Sequence, residues 1–160
     1  MKLEDIGFYT LSDARAEGVS DSSPLMRCEL ILTESCNFRC GYCRGIRKDY
    51  STAYTLEGAK AVIDLWVAEG LQNVRFSGGE PLMWKGIYEL VEYTRQFDCV
   101  KHIAISSNGS APFKCYQRLI DLGVNDFSIS LDACCASTGD AIAGVPLWKR
   151  VVENIEKSVS

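Results

Sequence analysis

The chain has 160 residues, 47% of them hydrophobic and 24% charged, a balance that lets one domain bury its own core and gives no reason to invoke disorder or a repeat array. Lys and Arg total 17 against 21 Asp and Glu, a net charge of -4, which excludes the basic footprint that bulk nucleic-acid binding needs. No apolar run approaches membrane-spanning length and the polar first residues lack an apolar signal segment, so the sequence reads as cytoplasmic, where its 8 cysteines persist as free or metal-bound thiols.

Residues 1–24 read as an amino-terminal arm and residues 25–160 as one domain. Arg27–Thr33 alternates as a strand that runs into a cysteine-rich loop. Thr55 caps a helix with Leu56, Ala59, Val62, Ile63, Trp66 and Val67 on one face, and Gly70 stops it. Residues 73–77 form a second strand. A helix follows over about residues 83–97, with Met83, Ile87, Leu90, Val91 and Thr94 at helical spacing, and residues 101–106 form the third strand. Pro112 opens a third helix that Gly123 closes. Residues 126–131 are the fourth strand, residues 132–145 a structureless loop, and Pro146 begins a last helix through Leu147, Val151, Val152 and Ile155. Four β/α repeats predict a parallel sheet with right-handed crossovers and helices on its outer face.

Side-chain alternation separates two sheet faces. Ser128, Ser130 and Asp132 oppose Phe127, Ile129 and Leu131; Arg75 and Ser77 oppose Val74 and Phe76; Glu29 and Thr33 oppose Cys28, Leu30 and Leu32. A closed barrel fills its interior with branched apolar side chains, so a polar inner face implies a cupped sheet around a wet ligand cavity. Glu29 and Arg75 are placed for an ion pair across adjacent strands, a structural contact rather than a functional one.

The motifs with chemical content all follow strand ends. Cys36, Cys40 and Cys43 come after the first strand, Ser77-Gly78-Gly79-Glu80-Pro81 after the second, Ser107-Asn108-Gly109 after the third and Asp132-Ala133-Cys134-Cys135 after the fourth. Each turn alone is common punctuation, but in parallel β/α sheets the loops at the carboxyl ends of the strands carry function. Three closely spaced thiols meet on an inorganic core only if the backbone curls, which Gly41 permits, and they leave one iron of a four-iron cluster open. A structural zinc site with a fourth ligand is the rival. A disulfide framework suits a smaller chain. The single histidine, His102, lies in an apolar strand and suits packing or hydrogen bonding better than ligation. Cys134 and Cys135 read either as small packed side chains or as rim residues of the same site, there to donate a hydrogen atom or ligate a second metal.

With Cys36-x-x-x-Cys40-x-x-Cys43 behind one strand and Gly78-Gly79-Glu80-Pro81 behind the next, the chain resembles the radical S-adenosylmethionine (SAM) enzymes, and among them the branch of the molybdopterin-precursor cyclase and the peptide-modifying maturases. The resemblance runs from about Arg27 to the last residue. It implies an α/β fold, a partial (β/α) barrel of parallel strands with about four β/α units where a full core has about six, hence a core incomplete at its carboxyl end. It implies that Cys36, Cys40 and Cys43 hold a [4Fe-4S] cluster whose open iron chelates the amino and carboxylate groups of SAM. Reductive cleavage then yields a 5′-deoxyadenosyl radical that abstracts hydrogen from a small-molecule or peptide substrate. By the same resemblance Tyr42 offers its backbone to adenine, Gly78 and Gly79 bring the chain close to the methionine amino group, and Glu80 adds a negative charge beside it. Ser107 and Asn108 are expected at the methionine carboxylate or sugar, and Ser130 and Asp132 at the ribose hydroxyls. The expected partners are an electron donor of flavodoxin or ferredoxin type and a second copy or chain that completes the barrel. The alternative of another class is a non-catalytic metal-binding scaffold.

Overall fold

The computed structural model describes residues 23–43 and 53–159; the expected arm over residues 1–24 lies outside them except for Ser23 and Pro24. Four strands, β1 (Arg27–Thr33), β2 (Asn73–Gly78), β3 (His102–Ser107) and β4 (Asp126–Ile129), form one parallel sheet in the order β1-β2-β3-β4. Helices α1 (Leu56–Ala68), α2 (Ile87–Arg95) and α3 (Phe113–Asp121) return the chain between them, and α4 (Ala136–Ala143) and α5 (Trp148–Val159) follow β4.

Local chemistry sets these boundaries. Thr55 accepts the Gly58 N–H at 3.0 Å through its hydroxyl and caps α1 as predicted. Gly70 (φ 91°) and Gly123 (φ 99°) take up the left-handed backbone that ends α1 and α3. The second helix starts later than its apolar spacing predicts: Pro81–Met83 is a single 3₁₀ turn, and α2 begins only after Gly86, on which the Trp84 ring packs too closely to admit a Cβ. Met83 is accordingly exposed. The fourth strand ends at Ile129, two residues early.

One sheet face is apolar and covered. Leu30, Leu32, Val74, Phe76, Ile103 and Ile105 are buried against Ala59, Ile63, Ile87, Leu90, Val91 and Leu119 of the three outer helices. Each large apolar side chain contributes about 1.5–3 kcal/mol on burial, and this layer fixes the register of β1, β2 and β3. The other face carries Glu29, Arg75, Ser106 and Ser128, with Ile31 also open to solvent at 60% exposure. Two expectations for this face are corrected. Glu29 and Arg75 stand opposite in register, but no ion pair joins them among the described residues, and the Arg75 guanidinium instead reaches Ser106 Oγ at 3.5 Å. Thr33 is buried rather than exposed, because the register shifts after Ile31 and turns Thr33 into the loop junction, where its hydroxyl accepts the Ser35 N–H.

Residues 132–145 are not structureless. They hold α4, with Cys135 at its N-cap and Gly144 (φ 67°) ending it. Gly139 lies flat on the Trp148 indole, where a Cβ would come within 2.2 Å of Cδ1, and Trp148 donates through Nε1 to the Ala133 carbonyl at 2.9 Å. Asn154 then pins α5 to the turn after β3, donating to the carbonyls of Gly109 (2.7 Å) and Ala111 (2.8 Å). Removing both bonds in Asn154→Ala leaves two carbonyls short of a partner and lowers stability by about 1–3 kcal/mol. Urea unfolding checks this, with a lower midpoint expected at an unchanged slope.

Candidate active site at the carboxyl ends of the strands

The loops that leave β1, β2, β3 and β4 meet around an open cleft of about 220 Å³. Of the residues singled out from the sequence, Cys36, Cys40, Tyr42, Cys43, Gly78, Gly79, Ser107, Asn108, Ser130 and Asp132 all line it. Ser106 adds to the polar lining, and Phe38, Ile142 and Trp148 supply apolar lining. A cleft with one apolar side and a few convergent polar groups suits a ligand with a flat ring and hydroxyl or charged substituents.

Glu80 alone stands behind the wall. It is 2% exposed, and its carboxylate accepts three bonds: from Leu82 N–H (3.1 Å) and Ser107 Oγ (3.0 Å) at Oε1, and from Asn108 N–H (2.7 Å) at Oε2. The expected charge beside a bound cofactor is therefore a buried anion that binds the β2 loop to the β3 loop. Ser107 lines the cleft, but its hydroxyl is engaged behind the wall: it serves Glu80 and meets Tyr116 Oη at 3.1 Å.

The glycine pair has a cause inside the protein. A Cβ on Gly78 would lie 2.4 Å from the Thr33 carbonyl oxygen, and one on Gly79 would lie 2.3 Å from that of Ser35. Backbone bonds run through this close approach, Gly79 N–H to Thr33 O at 2.7 Å and Glu80 N–H to Ser35 O at 2.8 Å. The β2 turn is thus stitched to the root of the cysteine loop, and only residues without a side chain fit. Gly41 is the opposite case. A Cβ there meets nothing within 4 Å, and its φ is not positive, so the curl of the loop does not require glycine.

The cysteine loop is also held from its far side. Arg39 N–H donates to the Ala143 carbonyl at the end of α4 (2.7 Å), and Tyr42 Oη donates to Asp132 Oδ2. That bond to a carboxylate, followed by burial, pushes the Tyr42 phenol well above its usual range. The Cys36 thiol is pushed up by burial, offset by the bonds it accepts from Phe38 N–H (3.4 Å) and Asn108 Nδ2 (3.7 Å). Asn37 and Ser110, which the sequence reading passed over, complete a polar ring with Asn108; their only signal was position, one beside a motif cysteine and the other inside the Ser-Asn-Gly-Ser turn.

Among the described residues no three His, Cys, Asp or Glu side chains are gathered at metal-binding distance, so the three thiols share one cleft without closing on a point. The donor set fits an iron–sulfur cluster: three soft ligands on one loop, N–H donors toward a ligand sulfur, and free space at Gly41. His102 stands at the amino-terminal end of β3, the other end of the sheet from the cysteines, and supplies no fourth zinc ligand. Neither Cys134 nor Cys135 lines the cleft. Cys135 stands instead at the N-cap position of α4, and the hydroxyls of Ser137 and Thr138 with the Thr138 N–H lower its thiol to about 6.

A parallel β/α sheet with a thiol-rich polar cleft at its carboxyl rim defines a cofactor-binding enzyme scaffold of partial-barrel type. The chain belongs to the radical SAM superfamily, whose family model matches residues 30–159; its enzymes use a [4Fe-4S] cluster and SAM. It is 32% identical over 138 residues to the GTP 3′,8-cyclase of Synechococcus elongatus, covering 82% of this chain and 41% of that protein. The chain thus spans about two-fifths of that relative's length. Two solved structures share the fold. SuiB of Streptococcus suis bound to its precursor peptide SuiA superimposes with TM-score 0.67 at 18% identity, over 83% of this chain and 30% of that one. BtrN in complex with AdoMet and 2-DOIA does so with TM-score 0.60 at 22% identity, over 71% and 48%. No helix among the described residues is long and apolar enough to cross a membrane.

Burial also holds the Glu80 carboxyl above the usual carboxylate range, outweighing its three donors. A carboxyl raised in the folded state keeps a proton that the unfolded chain has already lost. Its contribution to stability is therefore fully present below the ordinary carboxylate range and fades as pH rises through the folded value. Glu80→Gln is expected to flatten that slope when unfolding free energy is followed from acid to neutral pH. Parallel slopes in parent and variant would assign the titration to another group.

Proposed function

We propose that this chain cleaves SAM reductively at a [4Fe-4S] cluster held by Cys36, Cys40 and Cys43 and uses the resulting radical to abstract hydrogen from a small-molecule or peptide substrate. The observation that carries the reading is the meeting of the three-cysteine loop, the Gly78-Gly79-Glu80-Pro81 turn and the Ser107-Asn108 turn at one cleft. Held by Cys36, Cys40 and Cys43, a [4Fe-4S] cluster would supply the one electron that cleavage of SAM to methionine and a 5′-deoxyadenosyl radical requires.

The protein's share is alignment and exclusion of water. Gly78 and Gly79 give the methionine end a wall of backbone with no side chain in the way. Tyr42 presents its backbone to the adenine, while its hydroxyl orients Asp132 toward the ribose side together with Ser130. Phe38, Ile142 and Trp148 cover the apolar side. Ser107 and Glu80 act from behind, by holding the walls in register. The electron comes from a small donor of flavodoxin or ferredoxin type. The cyclase relative is named for GTP and SuiB is seen bound to its precursor peptide, and both substrate classes are open to the same radical.

Anaerobic reconstitution is expected to give about four irons per chain, with 5′-deoxyadenosine released slowly when reductant and SAM are supplied. Cys40→Ala is expected to lose most of the iron and all cleavage. Cys99→Ala keeps both, since Cys99 precedes β3 at the other end of the sheet. Equal iron loss in the two variants would remove the cluster assignment. A loaded chain that binds SAM without cleaving it would favour the scaffold reading.

A further inference from the structure

Asn108 lines the cleft where the cofactor is expected, yet the polar atoms of its side chain are already in use. Its Oδ1 accepts from the Ser110 N–H at 3.0 Å and the Ser110 hydroxyl at 2.7 Å. Its Nδ2 donates to Asn37 Oδ1 at 2.8 Å and to Cys36 Sγ at 3.7 Å. Asn37 Nδ2 donates to Ser110 Oγ at 2.8 Å, which closes a ring of three side chains between the cysteine loop and the β3 loop.

Chemistry alone fixes which way the amides point. A backbone N–H can only donate, so the Asn108 atom that faces Ser110 N is oxygen, and the atom beside Cys36 is the NH₂. Asn37 must then offer its oxygen to Asn108 and its NH₂ to Ser110, whose hydroxyl proton is left for Asn108 Oδ1. Such bonds polarise one another around the ring. The Asn108 backbone N–H is in turn held by the buried Glu80 carboxylate, and with the residue only 8% exposed the amide has no freedom to swing toward a ligand.

We propose that Asn108 is a positioning residue for the cluster and not a contact for SAM: braced by Asn37 and Ser110, it keeps an N–H on the sulfur of Cys36 and so sets how readily the cluster accepts its electron. This rests on the reading of Cys36 as a cluster ligand. Hydrogen bonds to ligand sulfurs stabilise the added negative charge of the reduced state and raise the potential. Phe38 N–H gives the same sulfur a second donor, so loss of the Asn108 bond shifts the balance without abolishing it.

The test compares the anaerobically reconstituted parent with Asn108→Ala. Cluster reduction is titrated by electron paramagnetic resonance without SAM, and SAM affinity is measured separately by equilibrium dialysis. The proposal expects retained iron, unchanged SAM affinity, and a reduced fraction at fixed poise lower by about tenfold, equivalent to about 59 mV for a one-electron couple. An unmoved midpoint with SAM affinity weakened about tenfold makes Asn108 a SAM contact and overturns it. If Asn108→Ala takes up no iron, Asn37→Ala provides the second reading, because it keeps the donor and removes the brace. A smaller shift in the same direction supports the proposal, and an unmoved midpoint there overturns it. A parent chain that takes up no iron sinks the underlying cluster assignment, an outcome recognisable before any variant is compared.

Discussion

A carboxylate taken out of water must be met by donors, or folding pays several kcal/mol for it. Glu80 has three, which offset part of that cost without cancelling it, and they come from its own turn and from the two residues that end β3 and open the next loop. The backbone N–H groups of Gly79 and Glu80 meanwhile donate to the carbonyls of Thr33 and Ser35 at the exit of β1. One buried anion and two tight backbone bonds therefore join three strand exits into a single unit. The rest of the cleft is built on that unit. The close approach leaves no room for a Cβ at Gly78 or Gly79, so the motif is as much a rule of packing as of ligand binding.

The sheet makes this possible by dividing its labour between faces. Branched and aromatic side chains on one face bury against α1, α2 and α3 and hold the strands in register. The small and polar side chains of the other face, Ser106 and Ser128 among them, leave the concave side open. Most of the cleft-lining side chains then sit on the loops that follow rigid strands, from Asn108 directly after β3 to Cys43 well beyond the end of β1. On the far side of the cleft α4 closes the arrangement. Its end accepts the Arg39 N–H, and Gly144 packs against the Arg39 backbone, so the cysteine loop is held at its start by β2 and at its middle by α4.

Much of this was legible in the sequence because it is written in periodicity. Strand alternation placed the core face correctly, Thr55, Gly70 and Gly123 marked helix ends by their own chemistry, and the three cysteines and the glycine pair all reached the same cleft. What escaped is tertiary. The segment Ala136–Ala143 has no apolar stripe and contains Gly139, which reads as a breaker until the Trp148 indole is seen lying against it. Ser107, Asn108 and Glu80 belong to motifs at strand exits, and the sequence gives no sign that their polar atoms also satisfy one another. Asn37 and Ser110 carry no motif of their own, and the bonds that tie Asn37 to Ser110 and Asn108 reach across more than seventy positions.

Three loops behave as one body because Glu80 and the Gly78-Gly79 turn fasten them. Native-state hydrogen exchange at the backbone amides of Gly79, Glu80 and Asn108 tests it most directly, since those N–H groups make the fastening bonds. The three amides are expected to exchange together, with one opening free energy close to that of global unfolding. Rapid exchange at Asn108 while Gly79 and Glu80 stay protected would mean that the loops open separately, and would contradict it.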